Sequence, residues 1–105
     1  MKFERTERFR SDYAGLSIER RELVRDVLAG FLRAADEVGA RNLDPRAWPG
    51  AFRVHALSGA PGICSVTFNH RRPDLRATFE WTSTVDGEPV LRWRRIGSHA
   101  IYTEP

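Results

Sequence analysis

Arg76–Arg95 reads RATFEWTSTVDGEPVLRWRR, and this stretch decides the fold. Ala77, Phe79 and Trp81 alternate with Arg76, Thr78 and Glu80, so a strand here presents one apolar and one polar face. VDGEP follows, with an Asp-Gly turn signal. Val90–Arg95 then alternates again, Leu91 and Trp93 against Arg92 and Arg94. Two such runs around a tight turn predict an antiparallel hairpin with one buried face.

The pattern extends backwards. ICSVTF (63–68) gives a further strand, with Cys64, Val66 and Phe68 apolar and Ser65 and Thr67 opposed. FRVHAL (52–57) gives another, with Phe52, Val54 and Ala56 on one side and Arg53 and His55 on the other. SGAPG and NHRRPD are the connections, and NLDPRAWPGAF is a loop punctuated by Pro45, Pro49 and Gly50. Trp48 in that loop is expected to cap the core.

The first forty residues behave differently. KFERT (2–6) alternates as a short strand. Phe9, Tyr13 and Leu16 are spaced on one helical face, and Gly15 ends that helix. Ser17 stands at an N-cap position. Beyond it Val24, Val27, Leu28, Phe31, Leu32, Ala35 and Val38 form an apolar stripe of helical period, up to a stop at Gly39. The expected fold is α+β, in the order β-α-α-β-β-β-β. A helical hairpin packs on one face of a small, mostly antiparallel sheet, and 1–105 form a single domain.

Composition narrows the function classes. The chain has 105 residues, 41% hydrophobic and 30% charged, which suits a folded globular domain. No apolar run approaches the roughly 20 residues that span a bilayer, and the charged start has no signal-peptide character. The single Cys64 excludes an internal disulfide, and its parity places it in the core rather than in a nucleophile's position. No cofactor motif and no metal-ligand spacing is visible. The expectation is a cytoplasmic protein without membrane, metal or cofactor.

The net charge is +3, and the cations are sixteen Arg against one Lys. Arginine presents a planar fork suited to phosphate. If the apolar strand faces meet the helices, the opposite face is left to solvent. It carries Arg53, His55, Arg76, Glu80, Arg92 and Arg94, and His99 lies just past its last strand. Either these are a wet face and a strand cap, or they are acid–base groups beside cations. The second arrangement could cut RNA without a metal. A base takes the 2′-OH proton, an acid protonates the leaving oxygen, and cations meet the charged phosphorane. Histidine, with an unperturbed pKa of about 6.5, suits either proton role.

Three segments in order, LSGAPGICSVTF, RATFEW and GSHAIY, resemble the RelE/ParE superfamily of bacterial toxins, across nearly the whole chain. The GSH ending is most similar to the RelE-like branch. The resemblance implies a cytoplasmic toxin that cleaves mRNA on the ribosome and is held inactive by a cognate antitoxin protein. Arg76 matches the family's arginine at the scissile phosphate, His99 its C-terminal histidine, the expected general acid, and Tyr102 an aromatic that stacks on or orients a base. Arg53, Arg92 and Arg94 are the further substrate-binding candidates. Many relatives carry a Glu and an Arg where Ser65 and Thr67 stand, so the resemblance assigns no base. His55 is the first candidate, because it shares the Arg76 face, and Glu80 the second. A ParE-type gyrase inhibitor, or a member that only binds RNA or protein, is the alternative. Thr103–Pro105 is expected to be an ordinary polar tail.

Overall fold

A computed structural model describes residues 2–39, 48–69 and 72–105. Its elements run β1 (Lys2–Arg5), α1 (Glu7–Ala14), α2 (Ile18–Gly39), a 3₁₀ turn (Gly50–Phe52), β2 (His55–Ala56), β3 (Ile63–Asn69), β4 (Leu75–Ser83), β5 (Pro89–Gly97) and a closing 3₁₀ helix (His99–Thr103). The five strands form one mixed sheet in the order β1-β5-β4-β3-β2. Only β1 runs parallel to its neighbour. The architecture is α+β, with two helices packed with a five-stranded sheet. Among the described residues no helix is long and apolar enough to cross a membrane.

Local chemistry starts each helix. Thr6 caps α1: its Oγ1 accepts from the Phe9 N–H at 3.1 Å and donates to the Arg94 carbonyl at 3.0 Å. One hydroxyl thus ties the helix start to β5. Ser17 caps α2, accepting from the Arg20 N–H at 3.2 Å. The apolar stripe of α2 then meets the apolar strand faces. Phe31 is fully buried and lies at the centre. Its ring stacks on Trp48 at 4.8 Å between centroids and contacts Phe52, Phe68, Phe79 and Trp93. Trp48 does cap this core, 6% exposed. Cys64 also lies on the core side, where burial pushes its thiol pKa up.

The β4–β5 hairpin is the one expected from the sequence. At its turn Gly87 takes a φ of 86°, a left-handed conformation that glycine adopts without steric cost. Both strands are longer than the alternation alone predicts. In β5 a bulge extends the pattern: Trp93 pairs with Phe79 and Arg95 with Thr78, leaving Arg94 as the extra residue. Arg94 and Arg95 therefore both leave the core face, and Ile96, paired with Ala77, returns to it, 2% exposed. Arg95 reaches α1, where its Nε donates to Asp12 Oδ2 at 2.6 Å.

Three expectations are corrected. The strand predicted over 52–57 shrinks to His55–Ala56. Gly50–Phe52 closes a 3₁₀ turn instead, and Arg53 follows it in the left-handed region, φ 50°. Arg53 therefore does not share a strand alternation with His55. Second, the polar sheet face is not left to solvent. Ser65 and Thr78 are fully buried and Thr67 is 5% exposed. Third, the last residues are no free tail, because they are what covers this face. Ile101 is buried, and a Cβ at Gly97 would meet its Cγ2 at 3.1 Å, so the bare glycine admits the close approach. The Pro105 main-chain oxygen accepts from Thr78 Oγ1 at 3.0 Å and from Arg94 Nε at 3.1 Å. Of the loops read from the sequence, 42–47 and 70–71 lie outside the described residues.

Candidate functional site

The closing 3₁₀ helix turns the sequence after Gly97 back across the sheet. Ser98 caps it, its Oγ accepting from the Ala100 N–H at 3.3 Å. The next residues place His99 at its open end, Ile101 against the sheet and Tyr102 over β3 and β4.

Tyr102 is the hub of a polar cluster. Its hydroxyl shares a 2.5 Å hydrogen bond with Ser65 Oγ and accepts one from Arg76 Nη1 at 3.3 Å. The Arg76 guanidinium carbon also stands 5.7 Å from the Tyr102 ring centroid, within cation–π range. The imidazoles of His99 and His55 meet the same ring edge-on, at 5.0 and 6.3 Å between centroids. Four residues singled out from the sequence, His55, Arg76, His99 and Tyr102, thus converge from β2, β4 and the closing helix. Both histidines are exposed and Arg76 is 24% exposed, so the cluster is open to a large substrate.

His55 Nδ1 lies 3.0 Å from the Arg53 carbonyl oxygen. A carbonyl can only accept, so this bond requires the proton on Nδ1 and leaves Nε2 with its lone pair in the neutral ring. The contribution of Arg53 to the cluster is this main-chain oxygen.

Asp74 was not picked out from the sequence. Its Oδ1 accepts from Arg76 Nε at 3.0 Å and its Oδ2 from the His99 main-chain N–H at 2.7 Å. Partial burial pushes its pKa up. The hydrogen bonds from Arg76 and His99, with the positive charge of Arg76, outweigh this and hold it below the ordinary value. Arg76 is shifted upward, first by its bond to Tyr102 and then by Asp74. No periodic signal marks Asp74, which closes the NHRRPD connection one residue ahead of β4. The sequence pattern places Ser65 on the polar strand face without a role, whereas in the structure it is the buried anchor of Tyr102.

The other candidates lie elsewhere. Glu80 is four residues along β4 from Arg76, about 13 Å at strand rise. It pairs with Arg92 Nη1 at 3.3 Å and Arg94 Nη1 at 3.2 Å, and Arg92 Nε also donates to Glu4 at 3.0 Å. Those bonds, to Glu4 first, raise the Arg92 pKa. Arg94 further holds the Pro105 oxygen. These groups knit the sheet and the closing segment together. A cleft of about 470 Å³ lies at this end, lined by Thr6, Arg8, Arg94, Arg95 and Glu104 among others, and none of the Tyr102 cluster lines it. Among the described residues no three His, Cys, Asp or Glu side chains are grouped to hold a metal ion.

No protein family, curated protein or solved structure was found to match the chain.

Proposed function

We propose that the protein is a ribosome-dependent mRNA endonuclease, the toxin of a cytoplasmic toxin–antitoxin pair. The observation that carries this reading is the gathering of two histidines and an arginine around Tyr102, on an open surface. In this reading the scissile phosphate sits on Arg76. His55, neutral with Nε2 free, takes the 2′-OH proton. The 2′-oxygen attacks the phosphorus and the bond to the 5′-oxygen breaks. His99, starting as imidazolium, gives its proton to that leaving oxygen. The products are a 2′,3′-cyclic phosphate and a 5′-hydroxyl end. Arg76 stabilises the charge that develops on the phosphorane, and Tyr102 orients the neighbouring base. Glu80, held by two arginines away from this cluster, is the weaker choice of base. The RelE-like resemblance of the three sequence segments supports the same reading and brings with it a cognate antitoxin that blocks the site.

One observation favours a second reading, a member of the fold that binds RNA or protein and cuts nothing. Ser65 and Thr67, where many relatives carry a Glu and an Arg, are buried, so β3 offers the substrate no acid–base group. The two readings separate in a cell-free translation system with a reporter mRNA, assayed with and without ribosomes. The endonuclease should give ribosome-dependent cuts with 5′-hydroxyl ends. His99→Ala and Arg76→Ala should each slow cutting by roughly 10²- to 10⁴-fold. A folded wild type that leaves the message intact would favour the binding reading.

A further inference from the structure

Within the Tyr102 cluster Asp74 is the group that joins the arginine to the histidine. Its two carboxylate oxygens serve donors from different elements: Arg76 Nε on β4 at 3.0 Å, and the main-chain N–H of His99, 25 residues further along the chain, at 2.7 Å. We propose that Asp74 is a positioning residue, whose carboxylate fixes the guanidinium relative to the His99 segment and thereby sets the cleavage rate rather than the affinity for RNA. This rests on the endonuclease reading of the cluster.

The geometry gives the carboxylate this role. A guanidinium has five N–H donors. Asp74 engages one through Nε and Tyr102 another through Nη1, so three remain to meet phosphate oxygens. The Nε bond sets the plane in which those three point. The second oxygen of Asp74 holds the first residue of the closing helix, and with it the backbone from which the His99 side chain projects. Asp74 thus touches neither the phosphate nor the transferred proton. It acts through the two residues that do, and a displacement of about 1 Å between such groups costs on the order of a hundredfold in rate.

Asp74→Asn keeps the shape but leaves one carbonyl oxygen where two acceptors stood, so one of the two bonds is lost. Asp74→Glu keeps the charge on a longer stem. Two quantities are measured on the full chain with programmed ribosomes: the single-turnover cleavage rate at saturating protein, and the affinity for an mRNA with 2′-deoxyribose at the cut site. Asp74→Asn should cut roughly 10- to 100-fold more slowly, while its affinity for the deoxy message stays within about threefold of wild type. Asp74→Glu should fall between the two. A rate within threefold of wild type overturns the proposal. So does a parallel fall of rate and affinity in a variant whose melting temperature has dropped, since that marks a merely structural role. A readout independent of cutting is the nuclear Overhauser contact between the His99 and Tyr102 rings. It should weaken in Asp74→Ala, which removes both acceptors, and persist in Asp74→Glu. If wild type cuts no RNA, the endonuclease reading fails by itself. An unchanged ring contact in Asp74→Ala would then overturn the positioning claim as well.

Discussion

The two faces of the sheet are built by different physics. On the apolar face, aromatic side chains from the 48–52 segment and three strands close around Phe31 of α2. The forces there are burial and packing, which are non-directional and spread over many contacts. On the polar face, the same strands present Ser65, Thr67, Arg76 and Thr78, and a single short segment covers them. What holds that cover is a handful of directional hydrogen bonds and one apolar plug, Ile101. The first face makes the fold, and the second assembles the candidate site.

Breaking the apolar face should have the largest effect. Phe31→Ala removes the ring that all of its aromatic neighbours share, and should destabilise the chain by about 3–5 kcal/mol, measured by urea titration. Loss of both faces in one transition is expected. A loss of under 1 kcal/mol would mean that the core does not depend on this ring.

The apolar face was legible because alternation and helical period are local properties. The stripe from Val24 to Val38 and the runs at Cys64–Phe68, Ala77–Trp81 and Leu91–Trp93 name the core almost residue by residue. Strict alternation fails at the bulge, since placing Arg94 outward would send Arg95 inward. The sequence can tolerate the extra residue because Ile96 then returns to the core. The polar face was half legible. The shared parity of Arg76 and His55 and the break at Gly97 before His99 and Tyr102 bring the four cluster residues into view. That Ser65 would hold Tyr102, and that Pro105 would meet Thr78, depends on a chain reversal with no periodic signature. For the same reason Arg92, Arg94 and Glu80 looked like a free basic surface, although each has its partner within the sheet or the closing segment.

A smaller change should separate the faces. Ile101→Ala removes the plug of the closing helix without touching the Phe31 cluster. It should destabilise by about 2 kcal/mol, at the low end for a buried Ile because the site has only one covering layer. All three tryptophans, Trp48, Trp81 and Trp93, pack on the apolar side. Their near-ultraviolet circular dichroism should therefore survive in the folded variant, while RNA cleavage, on the endonuclease reading proposed above, falls. If the tryptophan signals collapse along with cleavage, the two faces are one cooperative unit at this position, and the contrast drawn between them is wrong.

The smallest expected effect isolates a single carboxylate. Asp74 in the folded chain titrates below its ordinary value of 3.8, because Arg76 and the His99 N–H bind its ionised form. The unfolded chain therefore takes up this proton first as the pH falls. The stabilisation from Asp74 is complete above the unfolded value and decays as the pH drops through 3.8 and on through the folded value. Wild type should thus be more stable than Asp74→Asn from neutral pH down to about pH 5. The difference should shrink below pH 4 and vanish once both states are protonated. Melting temperatures of the two proteins across this range test it. A gap that stays constant into acid would assign the loss in Asp74→Asn to packing or to the amide's own contacts. A gap that closes in acid assigns it to the charge that ties the arginine to the closing helix.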